Sequence, residues 1–116
     1  MIEFKCEILT WDENSINVKL ENGYYDVIWG ETSFKFPYCF LCDILKNFFL
    51  DQKWYLLGSN LSDDQKGLGN YIIENPKSLS KSLKHVSAIA SIMVELGLIE
   101  FRELNTRGRP IELRRI

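Results

Sequence analysis

No arginine precedes Arg102, only one histidine (His85) occurs, and no apolar run is long enough to cross a bilayer. The first absence rules out an arginine-built phosphate surface in the front of the chain. The second means that any nucleophile–histidine–acid chemistry has to be built around His85, and no nucleophile elbow accompanies it. The third excludes a membrane helix: the most apolar stretch, Phe36 to Leu50, is broken by Asp43, Lys46 and Asn47 and falls short of the ~20 apolar residues that a span needs. The opening MIEFKCEILTW has no basic stretch and alternates apolar with charged residues, so a signal peptide is not expected and a cytoplasmic location is. The three cysteines are an odd number, which argues against a disulfide framework. Internal repeats, low-complexity segments and Gly-rich phosphate loops are also absent, since Gly67-Leu68-Gly69 lacks the rest of such a fingerprint.

What is present is a charge asymmetry. Residues 1–64 carry five lysines and eleven acids, a net of −6, whereas residues 65–116 carry nine basic and five acidic residues, a net of +4. An acidic front cannot be a nucleic-acid face, and the back can.

The front reads as an antiparallel meander. Ile2, Phe4, Cys6 and Ile8 alternate with charged residues, and Ile16, Val18 and Leu20 continue the alternation against Asn17, Lys19 and Glu21. Asn22-Gly23 is a strong two-residue hairpin signal, because both positions tolerate positive φ. A turn there pairs Leu20 with Tyr25, Val18 with Val27 and Ile16 with Trp29. Gly30 to Lys35 is a connection or a short fourth strand. Pro37 then opens a helix running to about Gln52, with Phe40, Leu41, Ile44, Leu45, Phe48 and Phe49 at helical spacing. Trp54 to Leu57 suits a short strand, and Ser62 or Asp63 suits the cap of a second helix that ends at Glu74.

A third helix is predicted from Ser78 to Leu96, with Gly97 ending it. Its apolar arc comprises Leu79, Leu83, Val86, Ala90, Met93 and Val94, widened by Ile89, Ile92 and Leu96. Opposite lies a small, polar stripe of Ser80, Lys84, Ser87 and Ser91, flanked by Lys81 and Ala88. The tail then reads as a hairpin with Thr106-Arg107-Gly108 as its loop. That register sets Glu100 opposite Arg114, Arg102 opposite Glu112, Phe101 opposite Leu113 and Ile99 opposite Arg115. A two-residue turn instead sets Glu103 against Glu112, which is repulsive. In the favoured register Arg102 and Arg114 serve the hairpin, leaving Arg107, Arg109 and Arg115 for a partner.

The run from Val86-Ser87-Ala88-Ile89 through Val94-Glu95-Leu96-Gly97-Leu98-Ile99-Glu100-Phe101, followed by Gly108-Arg109-Pro110, resembles the recognition helix and wing of winged helix-turn-helix proteins. MarR-type bacterial regulators are examples. The resemblance spans at most Lys66 to Arg115, and the front sheet is not part of the common pattern. It implies that Ser80, Lys81, Lys84, Ser87 and Ser91 face the major groove of double-stranded DNA and that Arg107 and Arg109 sit at the wing. Arg107-Gly108-Arg109-Pro110 also matches the core of an AT-hook, in keeping with minor-groove contact by arginine. The stripe holds no arginine, asparagine or glutamine, so phosphate contact is expected rather than base reading, and useful affinity calls for a homodimer.

Cys39-Phe40-Leu41-Cys42 with Cys6 and His85 makes a formal zinc ligand set, but the apolar surroundings favour buried thiols. His85 reads as a boundary packing residue. No metal, cofactor or enzymatic activity is expected. The expected fold is α+β: an N-terminal antiparallel β-meander over residues 1–36, then a three-helix winged-helix-like region over residues 37–116 with a C-terminal β-hairpin wing, packed as one unit. The preferred function is a small DNA-binding or regulatory protein. The alternative is a non-catalytic protein-interaction or oligomerisation module with the winged helix as scaffold. In that case a partner docks on the acidic N-terminal sheet, where Trp11, Tyr24, Tyr25 and Trp29 lie.

Overall fold

The computed structural model describes residues 2–7, 15–57, 67–75, 83–103 and 111–116. The front strands are β1 (Ile2–Glu7), β2 (Ser15–Glu21), β3 (Tyr24–Trp29) and β4 (Thr32–Pro37), joined antiparallel in that order. Period-two patterning decides their faces: Cys6, Ile16, Val18, Tyr25, Val27 and Phe36 turn inward and are buried. The β2–β3 turn has φ of 54° at Asn22 and 82° at Gly23, the backbone a two-residue hairpin needs. Leu20 pairs with Tyr25 and Val18 with Val27, as the sequence register requires. The segment after Gly30 is a full fourth strand, held by pairs from Trp29–Thr32 to Tyr24–Pro37.

Helix α1 covers Cys39–Asn47, starting later and ending earlier than the apolar spacing predicts. Pro37 is taken up by its pairing with Tyr24, and the Tyr38 N–H bonds back to the Gly23 carbonyl at 2.9 Å. At the far end the Phe48 and Phe49 N–H groups share the Ile44 carbonyl, at 2.9 and 3.1 Å, and Phe49 turns into the core. Asp51 then accepts from the Lys53 N–H (3.1 Å) and the Tyr55 hydroxyl (2.9 Å), a local side-chain alternative to continuing the helix.

Strand β5 (Tyr55–Leu56) leads to α2 (Leu68–Glu74), α3 (Leu83–Glu95), β6 (Ile99–Glu103) and β7 (Ile111–Arg115). Gly67 lies ahead of α2 rather than within it, and its N–H is taken by the Asn70 side chain at 3.0 Å. The anticipated caps Ser62 and Asp63 lie outside the described residues, as do residues 78–82 of the third helix. Helix α3 ends in a Schellman motif: the Gly97 N–H reaches Val94 and the Leu98 N–H reaches Met93, each at 3.0 Å, with Gly97 at φ 75°. The second sheet is antiparallel in the order β5-β7-β6. Its hairpin pairs Glu100–Arg114, Arg102–Glu112, Phe101–Leu113 and Ile99–Arg115, the register favoured by charge. The architecture is therefore α+β, a four-stranded antiparallel meander followed by three helices and a small antiparallel sheet near the C-terminal end.

The buried side chains of both parts form one cluster. At its centre is α3, whose residues from Val86 to Met93 are all buried. Helix α2, strand β6 and strand β1 pack against it, and His85 stacks on Phe34 of β4 with ring centres 3.8 Å apart. A helix enclosed on all sides is a core helix, whatever its outer stripe suggests.

Candidate functional site

Two members of the groove-facing stripe expected on α3 are not on the surface. Ser87 is 6% exposed and Ser91 1% exposed. The Ser91 hydroxyl donates to the Ser87 carbonyl at 2.7 Å, satisfying its polar group inside the helix itself. The correction has a physical basis: Ser and Ala are small, so their helix face admits a neighbouring element closely. Strand β1 packs on this helix, and the Glu95 carboxylate lies near enough to Cys6 to act on its thiol. The front sheet, which lies outside the winged-helix pattern, thus packs on the helix that the pattern gives to DNA.

Lys84 belongs to α3 by its backbone. Ser80, Lys81, Arg107 and Arg109 lie outside the described residues. Arg115, read from the sequence as free, donates to the Leu45 carbonyl in the last turn of α1 at 3.4 Å, where a cation complements the helix terminus.

The other two arginines are where the register puts them. Arg102 binds Glu112 through two nitrogens, at 2.8 and 2.7 Å, and Arg114 binds Glu100. Sequence reasoning missed the third member of this group, Trp54. The guanidinium carbons of Arg102 and Arg114 lie 4.2 and 4.4 Å from its ring centre. The pairing of Tyr55 with Leu113 is what brings Trp54 beside β7, and that contact spans more than fifty residues of chain.

The cysteines also depart from expectation. Cys39 and Cys42 are exposed at the start of α1, and only Cys6 is buried. Burial first, then the Glu95 and Glu7 charges, push the Cys6 thiol up to about 12. Exposed Cys39 and Cys42 and buried Cys6 do not share one site, and among the described residues no three His, Cys, Asp or Glu side chains gather as metal ligands do. His85 is half-buried against Phe34, a packing position.

The surface that the fold does organise is the outer face of the four-stranded sheet. One row crosses all four strands: Glu3 beside Lys19, Lys19 beside Asp26, Asp26 beside Lys35. Its signs alternate. Lys19 reaches along its strand to Glu21 at 3.3 Å, and Lys35 lies over the Tyr24 ring. Among the described residues, the Glu3 and Asp26 carboxylates join no ion pair. The next row runs Lys5, Asn17, Ile28, Ser33, with Ile28 52% exposed. A shallow depression of about 370 Å³ lies over these residues, lined by Glu3, Lys5, Asn17, Lys19, Asp26 and Ile28 among others. Trp11 lies outside the described residues, whereas Tyr24 is 38% exposed on this face. The Asn22-Gly23 turn alone was enough to place Lys19 beside Asp26. The outer members of the row needed the fourth strand and the β1 register.

No described helix is long and apolar enough to cross a membrane. No family model, curated protein or solved structure matches this chain.

Proposed function

We propose that this chain works by protein contact, as a non-catalytic interaction or oligomerisation module in which the winged-helix-like region is scaffold. The observation that carries this reading is the enclosure of Ser87 and Ser91 on α3. A recognition helix has to present such positions to a groove, and here they are interior. Two further facts support it. Arg102 and Arg114 are held by their hairpin partners and Arg115 by the end of α1, so these cations are engaged within the chain. The front sheet meanwhile presents an ordered charged face with Ile28 and Tyr24 partly exposed upon it, the mixture of polar rim and apolar anchor that protein interfaces use.

The alternative, a winged-helix DNA-binding or regulatory protein, keeps Lys84, Ser80, Lys81, Arg107 and Arg109 and loses Ser87, Ser91 and Arg115 as contacts. Fluorescence anisotropy with random duplex DNA across a salt series separates the two. Protein contact as the mode of action gives no salt-dependent association at low ionic strength. Binding whose logarithm falls linearly and steeply with the logarithm of salt concentration, the signature of phosphate neutralisation, overturns it.

A further inference from the structure

We propose that the outer face of the four-stranded sheet is a two-fold self-association surface whose occupant is a second copy of this chain. The proposal rests on the protein-contact reading above and names its partner. Its basis is the charge order Glu3, Lys19, Asp26, Lys35 across β1, β2, β3 and β4. Read backwards with signs inverted, this row is itself. A two-fold axis parallel to the strands, between β2 and β3 and in the plane separating two facing sheets, lays the row on its own reverse. Glu3 then faces Lys35 of the second copy, and Lys19 faces its Asp26. The axis repeats both pairs, so all four charges of each copy meet an opposite charge.

The neighbouring rows obey the same operation. Lys5 faces Ser33 and Asn17 faces Ile28 on one side; on the other, Glu21 faces the Tyr24 hydroxyl, which donates to it. None of these meetings is between like charges. The remaining acids, Glu7 and Glu31, fall in the last row at the exposed rim, where water and salt screen them. Isologous contact demands this kind of self-complementarity.

The area sets the strength. Four strands ~4.8 Å apart and ~20 Å long cover on the order of 400 Å², about half of what a standard complex buries on each partner. Association is therefore weak, electrostatic and salt-sensitive, with Ile28 and Tyr24 providing its apolar part.

Neighbouring opposite charges also attract within one sheet, so the test has to separate contacts between copies from contacts within one. Lys19→Asp places like charges across the interface twice, and so does Asp26→Lys. Each variant alone loses self-association by about tenfold or more. An equimolar mixture of the two restores it as a heterodimer, because the two changed residues, now of opposite charge, face each other at one contact and the two unchanged residues face each other at the other. No effect confined to one chain predicts rescue by mixing. Sedimentation equilibrium at low and high salt reads the outcome, with circular dichroism confirming that each variant is folded. Should a reversal unfold the chain, the neutral variants Lys19→Gln and Asp26→Asn carry the test and weaken association several-fold. A wild type that is monomeric up to near-millimolar concentration, or a mixture that fails to associate, overturns the proposal. A dimer indifferent to all these variants also overturns it and leaves the protein-contact reading standing; steep salt-dependent duplex binding is what removes that reading.

Discussion

The Ser91 hydroxyl donates to the Ser87 carbonyl at 2.7 Å inside the protein core, one turn away along α3. Two residues that look from the sequence like part of a polar outer stripe are thus interior, the hydroxyl of one bonded to the carbonyl of the other. Enlarging either one tests the enclosure. Ser91→Leu overfills a site where added methylenes cost about 1–3 kcal/mol, and Ser91→Lys costs more because it buries a charge. Ser91→Ala costs about 1 kcal/mol or less, since it removes a neutral hydroxyl whose bond to the Ser87 carbonyl runs along its own helix. Urea denaturation with the midpoint compared at constant slope measures all three.

The thiols separate by burial. Cys39 and Cys42 react with a thiol reagent at neutral pH, while Cys6 reacts only as the chain unfolds. The Cys6 shift also sets a pH dependence. Its thiol ordinarily titrates at 9.0 and is pushed up to about 12 in the fold. Below 9 both folded and unfolded states hold the proton, so the contribution is fully present. Between 9 and 12 the unfolded chain releases it and the folded chain does not. Stability then falls with rising pH by up to ~1.4 kcal/mol per unit. Cys6→Ala removes this component, so wild type and variant, compared by denaturation through the alkaline range, diverge in slope.

Trp54 organises the hairpin arginines. Its replacement by alanine removes the ring beside Arg102 and Arg114, and each cation–π contact at an exposed site contributes about 0.5–1 kcal/mol. The Arg102–Glu112 and Arg114–Glu100 pairs are themselves partly exposed, so double-mutant cycles return about 0.2–1 kcal/mol for each. The coupling of Arg102 to Glu112 drops when Trp54 is absent, because the ring limits the positions the guanidinium can occupy.

The turn between β2 and β3 is the local determinant of the central Lys19–Asp26 pair of the outer row. Gly23→Val forces a β-branched residue to a φ of 82° and destabilises the chain by more than the ~1 kcal/mol that separates Gly from Ala in ordinary positions. Asn22→Gly keeps the turn and is near neutral. Thermal unfolding of the two variants gives the contrast.

The legible parts of this fold were those set by short-range chemistry. The Asn22-Gly23 turn gave the β2–β3 register, opposite charges gave the β6–β7 register, and Gly97 gave the end of α3. What the sequence concealed depends on contacts distant in the chain. Phe36 and Pro37 belong to a strand because Tyr25 and Tyr24 lie beside them. Ser87 and Ser91 are interior on a helix against which α2, β6 and the upstream strand β1 all pack, and no helical wheel carries that information. Their small size was the signal available, since small residues suit close approach as well as solvent. The cysteine pair misled for the opposite reason: apolar sequence neighbours suggested burial, but Cys39 and Cys42 fall on the outward side of α1.

The central claim is that α3 is a core helix rather than a reading head. It is measured most directly by placing a thiol at Ser91, as Ser91→Cys in a chain carrying Cys39→Ser and Cys42→Ser. The account requires labelling at the rate of global unfolding, matched by buried Cys6 and unchanged by added duplex DNA. Labelling at the rate of a free thiol under native conditions contradicts it.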